Sequence, residues 1–266
     1  MLRARLLSFT QVDAGDDNTC GLKTDGTVAC WGSNYSGKST PPAGTFLQVS
    51  AGVFHTCGVR ADHTVACWGW TNYGQNTPPA GTFKQVSAGI GNTCGVRTNG
   101  TVDCWGNDNY GQSTPPTGTF TQVSTGDFHA CGVRINGTVA CWGANLAGES
   151  TPPAGTFTQV AAGSSHTCGV RTNGTVDCWG NNAYGVSTPP AGAFTQVATY
   201  STHSCGVKTD RTVDCWGNDN YGQSTPRAGT FLQVTAGTSH TCGVKTDGTV
   251  ACWGYNSDGQ STPPMP

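Results

Sequence analysis

Fourteen cysteines stand in seven pairs of constant spacing: Cys20 with Cys30, Cys57 with Cys67, Cys94 with Cys104, Cys131 with Cys141, Cys168 with Cys178, Cys205 with Cys215 and Cys242 with Cys252. Two residues before the first member of each pair comes Asn18, His55, Asn92, His129, His166, His203 or His240. Three chemistries suit this pattern. Each pair can close a disulfide, rest as two buried thiols, or join the histidine as three protein ligands of a zinc ion. The two asparagines speak against zinc, since asparagine ligates it poorly yet replaces histidine well as a short-range hydrogen-bonding group. A structural hydrogen bond is therefore expected at this position, and no metal. A second repeated position is cationic: Lys23, Arg60, Arg97, Arg134, Arg171, Lys208 and Lys245. It can form a charged ring. The expectation is that each stem covers a tryptophan or pairs with a carboxylate such as Asp103, Asp177 or Asp214.

Catalysis finds little support. The chain has one glutamate, Glu149, and lacks a glycine-rich phosphate loop with lysine, G-x-S-x-G and H-E-x-x-H. Every feature recurs seven times, whereas an active site is one irregular constellation. Neither an enzyme nor a cofactor is expected. A net charge of −2 with 11% charged residues lacks the basic footprint of a nucleic-acid binder. No apolar run reaches the length of a membrane span.

The elements that position these residues follow from a repeat. Phe9, Phe46, Phe83, Phe120, Phe157, Phe194 and Phe231 are each 37 residues apart. The units are 8–44, 45–81, 82–118, 119–155, 156–192, 193–229 and 230–266. They fill a single domain, 8–266, behind a leader of residues 1–7 that has basic residues but no apolar stretch of export-signal length. Within a unit, Phe83 to Ser87, Thr93 to Arg97 and Thr101 to Trp105 read as short strands, the last two around an Asn-Gly or Asp-Gly turn. The Ser-Thr-Pro-Pro stretch lacks the donors of a central strand and reads as loop or edge.

A three-residue turn, Thr24-Asp25-Gly26 with Gly26 left-handed, pairs Lys23 with Thr27, Leu22 with Val28 and Cys20 with Cys30. The cysteines then fall at a non-hydrogen-bonded pair, about 4.5 Å apart at Cα, within disulfide reach. One intrablade disulfide per hairpin is expected, and with it an extracellular or periplasmic home. Repeats two and six place His63 and Arg211 where Gly26 stands. Alternation puts Cys20, Leu22, Val28 and Cys30 on one face and Gly21, Lys23, Thr27 and Trp31 on the other. The indole is expected to cover the glycine slot and meet the next repeat. An open stack needs polar terminal caps, and neither end repeat supplies one. The fold class is therefore all-β, a closed seven-bladed β-propeller.

The phrase Gly52-Val53-Phe54-His55-Thr56-Cys57-Gly58-Val59, then Asp62-His63-Thr64-Val65-Ala66-Cys67-Trp68-Gly69 and Asn72-Tyr73-Gly74-Gln75, resembles the repeat of the regulator-of-chromosome-condensation family. Its pattern runs G-x-x-H-T, an apolar pair, D-G-x-V and W-G-x-N-x-x-G-Q. The resemblance implies a seven-bladed propeller. Functions vary within the family, which includes nucleotide-exchange factors, a plant ultraviolet receptor and a secreted bacterial inhibitor of β-lactamase. The short unit and doubled cysteines bring this chain nearer the bacterial, extracellular members.

Function is expected where the repeats differ. One variable stretch is the residue pair before the His/Asn position. The other follows Trp-Gly. Together they supply Phe54, Trp70, Tyr73, Tyr110, Phe128, Tyr184 and Tyr221 as candidate binding residues, with Asn and Asp between them. This suits a monomeric, non-enzymatic scaffold that binds protein through one propeller face. The alternative is a multivalent lectin with sites repeated around the ring. The partner is thus an unidentified protein or glycan.

Overall fold

The computed structural model describes residues 8–264. The expected leader, residues 1–7, and the last two residues of the 8–266 span lie outside it. Seven antiparallel sheets of three strands follow one another along the chain. In the first, the inner strand is Phe9–Ala14, the middle strand Asn18–Lys23 and the outer strand Val28–Gly32. In the seventh, the same strands are Phe231–Ala236, His240–Lys245 and Val250–Gly254. Each sheet packs on the next, and the seventh packs on the first. The Phe9 amide donates to Gly248 at 2.8 Å and the Trp31 indole to Gln260 at 2.9 Å across this closure. The result is the expected seven-bladed β-propeller.

The hairpins have the expected register, Leu22 opposite Val28 and Cys20 opposite Cys30, with its equivalent in every blade. All seven pairs are disulfides: Cys20 to Cys30, Cys57 to Cys67, Cys94 to Cys104, Cys131 to Cys141, Cys168 to Cys178, Cys205 to Cys215 and Cys242 to Cys252. Among the described residues no cysteine is free. The Cα atoms of each pair lie 4.0 Å apart, closer than the spacing expected of a non-hydrogen-bonded pair. The two sulfurs of a bridge are not equally enclosed. The first cysteine of every pair is on a middle strand and fully buried. Its partner is on the outer strand, where Cys30, Cys67, Cys104, Cys141, Cys178 and Cys215 are only half-buried and Cys252 is buried. Two buried thiols per blade, one of the chemistries open to the pairs, is thus not what the fold makes of them. Each bridge closes a short loop, which restricts the unfolded chain by about 3 kcal/mol in the chain-entropy account.

The tryptophan does not meet the next repeat. Trp31 packs with Phe9 and Val12 against Cys242, Val244 and Cys252 of the preceding blade. The slot over Gly21 belongs mainly to the Phe9 ring, which lies 2.6 Å from where a Cβ would stand, while the indole comes to 3.4 Å. The reason is a β-bulge. Phe9 pairs with Lys23 but Gln11 with Leu22, so Thr10 is an extra residue. In a regular strand Phe9 and Val12 would face opposite ways. The bulge turns both to the same side, and the phenylalanine takes the slot. Each junction is thus Phe, Val and Trp of one blade against the disulfide and valines of the blade before, with Leu22 for one valine in blade one.

Polar groups seal the same junctions. Gln11 donates through Nε2 to the Val49 carbonyl at 2.9 Å and accepts from the Val49 amide at 3.0 Å. All seven glutamines repeat this two-way bond, ending with Gln233 on Val12 at 2.8 and 2.9 Å. Further out, a single carbonyl receives two donors from the following blade. Lys38 O accepts the Trp68 indole at 2.8 Å and the Thr56 hydroxyl at 2.9 Å. The backbone does this work in every blade, while the buried side chain differs: Lys38, Gln75, Gln112, Glu149, Val186, Gln223 and Gln260.

Local geometry generates two testable expectations. Gly26 has φ of 81°, and His63 and Arg211 hold 67° and 70° at the same turn position. A β-carbon is strained there. Replacing either residue by glycine should stabilise the protein by about 1 kcal/mol, read as a raised urea midpoint. Losses at both sites would show that the side chains outweigh the strain. The second concerns blade four, where the hydroxyl position is Ala130 and the facing residue of blade three is Asn92. Asn92 Nδ2 turns to the Gln112 carbonyl at 3.5 Å, which no threonine occupies. Asn92→His should bury an N–H without an acceptor and cost about 1–3 kcal/mol. Adding Ala130→Thr should recover most of that loss, and additivity in a double-mutant cycle would refute the coupling.

Candidate functional site

The antiparallel meander brings the turn after the inner strand and the segment after the outer strand to the same end of each blade. They are bonded there. The Trp70 amide donates to Phe54 at 2.9 Å, Asn107 to Gly91 at 2.8 Å and Ala144 to Phe128 at 2.8 Å. Both variable stretches therefore lie side by side on one face, the loop face. The hairpin turns and the cationic position occupy the opposite, turn face.

All seven candidate binding residues lie on the loop face. Phe54, Trp70 and Tyr73 form one cluster, with ring centroids 5.2 and 5.4 Å apart. Tyr110 of blade three reaches Phe128 of blade four at 5.2 Å. Tyr221 meets Tyr255 at 4.8 Å, and Tyr184 stands apart at 66% exposure. Three residues complete what sequence reasoning left unfinished. Tyr35, Leu146 and Tyr255 are also exposed in these loops. With Tyr73, Tyr110, Tyr184 and Tyr221 they make a circlet of one large side chain per blade. The signal was a bulky residue in each post-Trp-Gly segment, displaced by up to three positions between repeats.

Part of the interleaved Asn and Asp serves the loops themselves. Asp108 accepts from the Ser113 amide and the Thr114 hydroxyl, each at 2.7 Å, and Asn34 accepts from the Ser39 amide at 2.9 Å. On the turn face, Arg97, Arg171 and Lys208 pair with Asp103, Asp177 and Asp214. The guanidinium groups of Arg60, Arg97, Arg134 and Arg171 lie 4.8–5.3 Å over phenylalanine rings. These cations cover Phe, where tryptophan was expected.

Beneath the loop face each histidine reaches into the next blade. His55 Nε2 meets Thr93 Oγ1 at 2.7 Å, and that hydroxyl donates its only hydrogen to Gln75 O at 2.9 Å. The histidine must then donate, which fixes the Nε2–H tautomer. Burial pushes His55 and His203 down to about 3, and His129, His166 and His240 to about 4. The axial channel, a cavity of about 220 Å³, is lined by the seven glutamines and by Asp13, whose carboxyl burial raises to about 6.

Below pH 6.5 the unfolded chain protonates these histidines while the folded protein does not. Each should therefore remove about 1.4 kcal/mol of stability per pH unit as pH falls toward its folded value. Asp13 acts oppositely between about 6 and 3.8, and the Asp127 carboxyl, also raised by burial, acts in the same sense, two groups against five. The urea midpoint should drop between pH 7 and pH 5, and a constant midpoint would contradict the buried neutral state.

A family model described as the regulator of chromosome condensation (RCC1) repeat matches residues 9–38, 46–75, 83–112, 120–149, 157–186, 194–223 and 231–260. Among solved structures, the CRINKLY WD40 ectodomain of the Arabidopsis thaliana receptor kinase ACR4 is 28% identical, with a TM-score of 0.79, covering 98% of this chain and 100% of that one. The ectodomain of the Physcomitrella patens receptor kinase CR4 is 27% identical, with a TM-score of 0.79, over 94% of this chain and 74% of that one. Yeast RCC1 (Prp20), solved with Kap60, shares the fold at 14% identity and a TM-score of 0.76, over 98% of this chain and 83% of that one. No curated protein sequence matches the chain. With a match in every blade, the chain belongs to the RCC1-repeat family of β-propellers.

Proposed function

We propose that this chain is a non-enzymatic, monomeric binding scaffold that captures a protein on its loop face. The circlet carries this reading. Among the described residues, eight of the eleven exposed large apolar side chains, the seven of the circlet and Phe128, lie on that face. Aromatic residues of this kind anchor protein interfaces. The blades beneath are nearly invariant, so selection for binding has room to act on the loops alone. Prp20, of the same fold, was solved bound to Kap60, and the two plant relatives are receptor ectodomains. Seven disulfides persist in oxidising surroundings and support an extracellular or periplasmic setting.

A second reading has its own observation. Grooves of about 320, 420 and 530 Å³ recur at the blade edges beside Trp105, Trp179 and Trp253, with prolines and, in two of them, Asp103 or Asp177. A repeated groove favours a multivalent lectin, in which weak sites add by avidity.

Capture from the native host's extracellular fraction separates the two. Trp70→Ala with Tyr73→Ala should weaken capture of a specific protein by about 30-fold or more, the scale of an interface hot spot. Ile135→Ser, at a turn-face hairpin, should leave it unchanged. Equal capture by both variants, together with binding on a glycan array, would replace the protein reading with the lectin.

A further inference from the structure

At the axis of the loop face the blades present one equivalent position: Gly15, Gly52, Gly89, Gly126, Gly163, Tyr200 and Gly237. Six are glycine, each pressed against the backbone of the next blade, so that a Cβ on Gly15 would stand 2.4 Å from the Gly52 carbonyl oxygen, and blade six carries a phenol there. Tyr200 is 8% exposed and packs with Val53 and Ala236, with Phe54, Ile90 and Ala198 around them. Val53 belongs to blade two, across the ring. The phenol therefore spans the mouth and makes a floor over the channel. Asp127 of blade four and Asp16 of blade one come near it, with Asp13 on the channel side.

Two atoms at this floor are unfinished. Tyr200 Oη and Asp127 Oδ1 are both shielded from solvent, and neither makes a hydrogen bond of sound geometry. They are near enough to act on one another, and Ser164 lies beside the carboxyl, but no hydrogen bond satisfies either atom. Folded proteins rarely leave buried polar atoms in this condition. Burial pushes the Asp127 carboxyl up, and the nearby Asp16 adds to the effect. Among the described residues, no lysine, arginine or histidine forms an ion pair with Asp16 or Asp127. Lys38, the one described cation in the loops of this face, is buried and committed to Asp17 and the Val53 carbonyl. Arg227 belongs to the proline-containing connection beside Trp253. No group of three or more His, Cys, Asp or Glu among the described residues is arranged to hold a metal ion.

The charges divide accordingly. The loop face carries Asp16, Asp17, Asp108, Asp127, Asp219 and Asp258, whereas the repeated cations sit on the turn face. An anionic mouth floored by an aromatic hydroxyl and ringed by tyrosines complements a single positive side chain. We propose that the axial mouth is a socket for one lysine or arginine side chain of the protein partner. Asp127 and Asp16 supply the counter-charge, and the Tyr200 hydroxyl supplies an acceptor at the floor. The inference rests on the reading of the loop face as the binding surface and adds the chemistry of its central anchor.

The socket can be tested without the partner. The whole protein is titrated with n-butylammonium, n-butylguanidinium and neutral n-butanol while tyrosine ring resonances are followed by NMR. Tyr200→Phe assigns the Tyr200 signals. Saturable shifts at Tyr200 are expected from both cations, with a Kd on the order of 1–10 mM, and binding of n-butanol about tenfold weaker or worse. Asp127→Asn, and Asp127→Asn with Asp16→Asn, should weaken the cations about tenfold or more, the scale of a lost charge partner. Thermal midpoints check that the variants fold. If the carboxylate variants do not fold, the wild-type protein is titrated at rising salt, which should weaken the cations but not n-butanol. Equal binding of n-butanol, unchanged cation binding in the carboxylate variants, or no saturable shift at Tyr200 would each overturn the socket. If cations bind at Tyr200 while the Trp70/Tyr73 variant still captures its protein, the socket stands and the circlet reading falls. The reverse pattern leaves the circlet and removes the socket.

Discussion

The two-way bond of each channel glutamine is the constraint on which the ring depends. Adjacent inner strands converge on the axis as edges, and their amides and carbonyls there have no strand to pair with. A glutamine side chain carries a donor and an acceptor in the same arrangement as a peptide group. Gln48 therefore meets the Val86 amide and carbonyl, both at 2.9 Å, as a neighbouring strand would. The bond joins two blades without merging their sheets. Each wedge keeps its own hairpin.

Outside this inner seal the junction is mainly apolar and repetitive. A phenylalanine, a valine and a tryptophan press on the preceding blade's disulfide, and the histidine-to-hydroxyl contact closes the loop-face end. The chain from His55 through Thr93 to the Gln75 carbonyl spends each hydrogen once, and it leaves Nδ1 of His55 without a partner. A scaffold so closely specified at every junction leaves its loops little structural duty. That is why aromatic side chains can stay exposed on one face without disturbing the ring.

Much of this was legible in the residues. The 37-residue recurrence of Phe9 and its counterparts gave the blades, and the three-residue turn ending in Gly26 gave the register that joins Cys20 to Cys30 and, by repetition, Cys94 to Cys104 or Cys205 to Cys215. The bulge at Thr10 was not legible, because no proline or glycine marks it, and with it went the direction of Trp31. Alternation alone assigns Phe9 and Val12 to opposite faces. In the loops, Tyr35, Leu146 and Tyr255 escaped notice because the bulky residue shifts within its segment, and its exposure depends on ring closure. Tyr200 was visible as the one break in a column of glycines. Its meaning needed the opposite side of the ring, since Val53 is distant in sequence and near only across the axis.

The carbonyl that collects the Trp68 and Thr56 donors has a consequence for how such a ring changes over generations. A contact made by the peptide backbone outlasts a change of side chain, so the junction bond persists whichever side chain is buried at that site. Lysine, glutamine, glutamate and valine already occupy it in one molecule. The site adjoins the loop face, where Lys38 has drawn in Asp17 and the Glu149 carboxylate has capped the amides of Leu146 and Ala147. A change of side chain at this buried position thereby reshapes the loop beside it. A lineage can explore new surfaces one blade at a time while the ring that presents them stays closed.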